Sequence, residues 1–162
     1  MFFPRKRVFI LGPSHHHYFE GCAVSPFETY ATPLGPLEID QEVNKSLLKN
    51  QAFTVMNRDV DKEEHSIEMH LPYIYKVLER QHSRSTELPQ IVPILVGSID
   101  STKEKEYGKL LRPYLEDEEN CFVISSDFCH WYVMNDFVTG NSVNANQGES
   151  LLLHVLPTKT HA

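Results

Sequence analysis

The chain has 162 residues, enough for one domain with a real core, since a domain of this size buries roughly 70% of its unfolded surface. Fifteen basic against 22 acidic residues give a net charge of −7, which argues against nonspecific attraction to nucleic acid or anionic lipid. Three cysteines, Cys22, Cys121 and Cys129, mark neither a disulfide framework nor a CxxC zinc site. With no apolar run near the ~20 residues of a membrane span and no signal-peptide core after Arg7, a reduced, cytoplasmic protein without membrane insertion is expected.

Val8 to Leu11 is a short apolar run bounded by basic residues and by Gly12-Pro13, the pattern of a strand buried on both faces. It delivers His15, His16 and His17 into a loop. Cys22 to Ser25 and Leu37 to Ile39 read as shorter strands, separated by a turn-rich piece with Pro26, Pro33, Gly35 and Pro36. Asp40 caps a predicted helix over Gln41 to Lys49 with Val43, Leu47 and Leu48 on its inner face. Phe53 to Met56 suggests another strand.

Asp61 and Glu64 have capping-box spacing, which predicts a helix starting near Lys62. Pro72 removes an amide donor and kinks or restarts that helix, which then continues from Tyr73 to Arg80. His82 to Pro89 reads as a surface loop. Ile91 to Val96 has the composition of a buried strand, although Pro93 argues for a bulge or a position near an edge. Ser101 and Glu104 repeat the capping-box spacing ahead of a helix to Leu115 with Tyr107, Leu110, Leu111 and Tyr114 on one stripe. Cys121 to Ile124 is a strand that feeds Ser125 to Trp131. Beyond it, Asn135 to Ser150 has few apolar residues, and Leu151 to Leu156 is a short apolar end-piece. Alternating strands and amphipathic helices predict an α/β domain with a largely parallel or mixed sheet flanked by helices.

Open α/β sheets place ligands at the carboxyl ends of their strands. If the strands before His15 and before Asp127 share a sheet, their loops share an edge. His15, His16 and His17 are either metal ligands or bases, because neutral imidazole suits iron, copper and zinc, or part of a solvated turn. Asp127 either fixes the ring of His130 or caps a short helical turn. His65 and His70 diverge by about 140° on a helix, so they are poor partners for one metal; His65 reads as a hydrogen-bonding support or, with Glu64, as part of a solvated helix start. Cys129 adjoins this loop, but nothing around it activates a thiol. Markers of serine hydrolases, P-loop proteins and dinucleotide-binding proteins are missing.

Ile10-Leu11-Gly12-Pro13-Ser14-His15-His16, Glu64-His65-Ser66-Ile67-Glu68-Met69-His70-Leu71-Pro72, Val96-Gly97 and Ser125-Ser126-Asp127-Phe128-Cys129-His130-Trp131 together resemble the Memo family, mediators of receptor-tyrosine-kinase-driven cell motility. The similarity extends from Arg5 to Trp131 and includes Thr32-Pro33-Leu34 and Gly108-Lys109-Leu110. The resemblance implies a fold like that of class III extradiol dioxygenases and a partial Memo-like domain over residues 5–131, incomplete at both ends, with a divergent, poorly structured tail over 132–162. It further implies a non-enzymatic signalling adaptor with a remnant metal pocket, recognising a phosphorylated receptor tail or cytoskeletal regulators. Alternatives are a non-haem iron or copper oxidoreductase of the extradiol type and a truncated product without independent function.

By motif, His15 corresponds to a metal-ligand histidine, and His130 with Asp127 to a base or supporting pair. His16, His65, Cys129 and Trp131 are candidates for the pocket wall. The family's other ligands, a histidine in a Pro-His-Ala-Gly loop and a cysteine beyond the Asp-Phe-Cys-His-Trp motif, have no counterpart here. The expectation is therefore at most weak iron or copper binding through His15.

Overall fold

The computed structural model describes residues 6–82, 87–128, 150–151 and 154–156, with only the backbone of 127–128, 150–151 and 154–156. The chain runs through β1 (Arg7–Pro13), β2 (Cys22–Val24), a hairpin of β3 (Thr29–Thr32) and β4 (Gly35–Glu38), α1 (Gln41–Leu48) and β5 (Phe53–Val55). Three helices follow, α2 (Arg58–Glu63), α3 (His65–Glu68) and α4 (Leu71–Gln81). β6 (Gln90–Val96), α5 (Ser101–Glu116), β7 (Asn120–Ile124) and the short β8 (Asp127–Phe128), β9 (Ser150–Leu151) and β10 (His154–Leu156) complete the order.

Six strands form the central sheet in the order β10-β7-β1-β6-β2-β5. β1 pairs in parallel with β6 and β7, and β2 pairs in parallel with β5. The β2–β6 and β10–β7 pairs are antiparallel. The result is the mostly parallel, helix-flanked α/β sheet that the sequence predicts. β1 is paired on both edges, by β6 and β7, and covered on both faces, by α3 and α4 on one side and α1 and α5 on the other, which explains its nearly unbroken apolar run.

Residues alternate across that sheet. Val8 and Ile10 of β1, with Ile91 and Leu95 of β6, join Ile67, Leu71, Ile74 and Leu78 of α3 and α4 in one core. Phe9, Val92 and Ile94 face the other way, onto Val43 and Leu47 of α1 and Tyr107 and Leu111 of α5. There Phe9 stacks on Phe122 at 4.6 Å with an interplanar angle of 3°.

Asp40 caps α1 as expected, its carboxylate accepting from Val43 N–H at 2.9 Å. Three local expectations need correction. The capping box at Asp61 does not start a helix: α2 begins earlier, capped by Asn57, and the Asp61 carboxylate accepts instead from the hydroxyls of Ser25 and Tyr30. Likewise Asp100, not Ser101, caps α5, accepting from Thr102 and Lys103 N–H. Pro93 lies inside a central strand. The β2–β6 ladder stops at Val24↔Ile94, and the next contact on that side is the Ile39–Ile91 bridge. Pro93 faces the gap between them, so its missing N–H breaks no ladder bond.

Pro72 restarts the chain as the second residue of α4, where its absent donor belongs to the unpaired first turn. The hairpin β3–β4 replaces what reads as a turn-rich connection. Its alternation of half-exposed positions at Thr29 to Thr32 is masked in the sequence by the surrounding prolines.

Candidate functional site

The site is built where β1 ends. Ser14 N–H donates to the carbonyl of Val96 at 2.9 Å, and Ser125 N–H donates to the carbonyl of Leu11 at 2.8 Å. The carboxyl ends of β1, β6 and β7 therefore share one edge of the sheet. The loop after β1 carries His15 there, and the segment after β7 enters β8 at Asp127 from the same edge. Side-chain geometry at Asp127, and Cys129, His130 and Trp131 altogether, lie outside the described residues.

Gly12 makes the close approach that completes this edge. A Cβ at Gly12 would lie 2.6 Å from Ser66 Oγ and 3.0 Å from Ile67 Cγ1. Without one, α3 packs directly on β1 and brings Glu64 beneath the histidine loop. Glu64 is only 5% exposed, a correction to its expected place in a solvated helix start. It is the N-cap of α3, accepting from His65 N–H and Ser66 N–H at 2.9 Å each through Oε1. Its other partner is His15, whose N–H donates to Oε2 at 2.7 Å and whose Nδ1 lies 3.0 Å from Oε1. Burial by itself would raise the Glu64 carboxyl, but the hydrogen bonds from the His15 backbone, the His15 ring and Ser66 outweigh it and hold the group at about 2.

Around this carboxylate the imidazoles gather. The His15 and His65 rings stack at 4.7 Å, and His16 Nε2 lies 3.3 Å from His65 Nδ1. His17 contributes its carbonyl, which accepts from Ser14 Oγ at 2.6 Å and tightens the loop. His70 turns elsewhere: it is buried, its Nε2 has no hydrogen-bond partner among the described residues, and burial lowers its pKa. The divergence of His65 and His70 along the chain is thus realised, with His65 at the site and His70 in the interior.

Glu64 also forms part of the wall of a cavity of about 310 Å³ on the side of α3 and the hairpin, with Tyr30, Asp61, Ile67, Leu71 and Leu95. His15 and His65 do not line it. The imidazole cluster, where the groups with ligating chemistry gather, is therefore taken as the candidate site. Neither described thiol is poised as a nucleophile, since burial pushes Cys22 up to about 12 and raises Cys121 as well.

His15, Glu64 and His65 each place one ligating atom within 4.8 Å of the others. Imidazole is a borderline ligand and carboxylate a hard one, a mixed set of the kind that iron or zinc takes, so the donor types present fit a metal of that kind. Sequence reading places His15, His16 and His65 among the candidates and leaves out Glu64, which binds them together. The signal available for it was its position immediately before His65, where a helix restarts.

A family model described as Memo-like protein matches residues 3–153. Protein MEMO1 of Danio rerio is 53% identical over 126 residues, which cover 78% of this chain and 41% of that protein. Protein MEMO1 of Homo sapiens is 49% identical over 126 residues, with the same coverage. Protein memo-1 homolog of Caenorhabditis elegans is 46% identical over 126 residues, or 78% of this chain and 34% of its own length. The chain thus spans about two-fifths or less of the curated relatives it matches.

Proposed function

The chain belongs to the Memo family, and from that premise we propose that it acts as a non-enzymatic signalling adaptor linked to cell motility and the cytoskeleton. Its histidine-rich sheet edge is the recognition pocket, and its partner is a phosphorylated receptor-tail peptide presented in the cytoplasm. A cytoskeletal regulator is the next partner in the chain of signalling. The observation that carries this reading is the pinning of the Ser14–His17 loop by Glu64, which fixes three imidazoles side by side before any ligand arrives. Preorganised donors of this kind bind an anionic group with less ordering cost than a free loop. Tyr18, 77% exposed at the end of the same loop, adds an aromatic surface for a peptide side chain. The described residues contain no helix long and apolar enough to cross a membrane.

The test is fluorescence polarisation with a phosphotyrosine peptide and its unphosphorylated twin. The phosphorylated form is expected to bind at least tenfold more tightly, and His16→Ala to weaken it. Equal affinity for both peptides would sink the reading.

A metal-dependent oxidoreductase of the extradiol type is the second reading, favoured by the two-histidine, one-carboxylate grouping. A metal there would supply Lewis acidity and access to oxygen chemistry. The chain's own contribution would be to orient His15 through Glu64. Oxygen uptake with a catechol and added ferrous iron decides between the two, and the adaptor reading expects none above buffer.

A further inference from the structure

The cavity of about 310 Å³ beside α3 takes no part in the proposed recognition pocket, and its lining is chemically divided. Buried Ile67, Leu71 and Leu95 give it an apolar floor, and half-buried Phe27 and Tyr30 give it aromatic walls. Three carboxylates, buried Glu64, half-buried Asp61 and exposed Glu68 at the rim, stand against one base, the exposed Lys62. We propose that this cavity binds a small primary amine, an ammonium group on an apolar stem, with Asp61 as its principal counter-ion.

Asp61 is the group that points to a cation. Its two oxygens accept from neutral donors, Oδ2 from the Ser25 hydroxyl at 2.6 Å and Oδ1 from the Tyr30 hydroxyl. Among the described residues no basic side chain pairs with it; Arg58, one turn earlier on α2, lies over the Phe27 ring at 5.0 Å instead. Burial raises the Asp61 carboxyl above its ordinary value, and the hydroxyls of Ser25 and Tyr30 oppose this only in part. Each of its oxygens carries one hydrogen bond and has capacity for another. The charge is bonded but not balanced.

An organic cation suits this lining better than a metal ion. Among the described residues, no grouping that could hold a metal includes Asp61 or Glu68, so these carboxylates are spread around the cavity rather than converging on one point. An ammonium group has three N–H donors to distribute among them, and its carbon stem meets the apolar floor. The aromatic walls attract a cation through their ring faces, while the carboxylates repel an anion. A slot of about 200 Å³ between the hairpin turn and the start of α4 shares Ala31, Glu68 and Leu71 with the cavity and adds Pro33, Met69 and Pro72. It gives the stem a path outward along apolar surface. This site is separate from the histidine loop, since neither His15 nor His65 lines it.

Titration of the nitrogen-15-labelled full chain with n-hexylamine, 1-hexanol and hexanoate, followed by amide chemical shifts, tests the proposal. Hexylamine should give saturable shifts at Tyr30, Asp61 and Leu95 and bind at least tenfold more tightly than hexanol, and hexanoate should not bind. Asp61→Asn should weaken hexylamine binding at least tenfold, the scale of one lost charge-assisted hydrogen bond, and leave hexanol binding within twofold. Phosphopeptide affinity should be unchanged in the same variant, so this site and the adaptor reading stand or fail independently. If Asp61→Asn unfolds by circular dichroism, Glu68→Gln, at the exposed rim, takes its place with an expected threefold loss. Equal affinity for hexylamine and hexanol, shifts confined to the His15–His17 loop, or unchanged hexylamine binding in the folded variant would each overturn the site.

Discussion

The two faces of the central sheet solve the same packing problem with different chemistry. On the face covered by α1 and α5, the core is aromatic and aliphatic, with Phe9, Phe53, Phe122 and Tyr107 in contact and the Tyr107 hydroxyl bonded to Cys22 N–H and the Ala52 carbonyl. On the face covered by α3, α4 and the β3–β4 hairpin, an aliphatic core is interrupted by buried Glu64, Ser66 and His70. Burying such groups is unfavourable unless each finds partners, yet Ser66 Oγ and His70 Nε2 on this face have none among the described residues, and neither do Asn44 Oδ1 of α1 and Asn120 Oδ1, beside α5, on the other. Both faces bury polar groups; what sets the second apart is that its buried carboxylate, Glu64, sits under the histidine loop.

That division predicts a graded set of losses. Phe9→Ala, at a residue 0% exposed and stacked on Phe122, should be the largest. It removes an aromatic side chain from a closed core, a change that costs about 3–5 kcal/mol. Urea unfolding followed by circular dichroism measures it, and metal or peptide affinity of the folded fraction should not change. A site affinity that falls with stability would mean that the two faces are not separable.

Gly12→Ala comes next. The new Cβ meets Ser66 Oγ at 2.6 Å and Ile67 Cγ1 at 3.0 Å, so α3 must move away from β1, an overpacking strain of about 1–3 kcal/mol. Because α3 starts at Glu64, this variant should also disturb the bonds to His15. The expected signature is a moderate loss of stability with a disproportionate loss of ligand binding. A loss of stability with intact binding would place the hinge of the site elsewhere.

The sheet was legible in the sequence and the site was legible only in part, for one physical reason. Val8 to Leu11 and Ile91 to Val96 announce themselves by local composition, and Asp40 ahead of Gln41 announces a helix start. Glu64 acts through partners at His15, 49 residues away, and through its own next two amides, which a capping-box spacing counted from Asp61 assigns to the wrong turn. Pro93 misleads in the opposite direction, because whether a strand tolerates proline depends on which side its missing donor faces. Gly12 appears as a breaker in sequence, whereas its role is to let two elements touch. Local periodicity shows elements, and contacts between distant segments have no local signal.

The smallest of the stability effects offers the sharpest separation of the faces, because it depends on pH. Glu64→Gln keeps the shape of the side chain but turns an amide toward the His15 N–H that now donates to Oε2, at a cost of about 1–2 kcal/mol at neutral pH. The Glu64 carboxyl is held at about 2, below its ordinary 4.5, so the folded state binds its proton less readily than the unfolded chain. Its contribution is complete above pH 4.5, shrinks as pH falls toward 2, and is gone below that. The stability gap between wild type and Glu64→Gln should therefore narrow steadily between pH 4.5 and 3, with titration of the other carboxylates cancelling in the difference. The gap between wild type and Phe9→Ala should stay flat over the same range, since no titrating group enters that change. Urea unfolding of the three proteins at pH 7, 5, 4 and 3 gives both curves, and a Glu64→Gln gap as flat as that of Phe9→Ala would show that the carboxylate is not held ionised by His15 and the α3 amides.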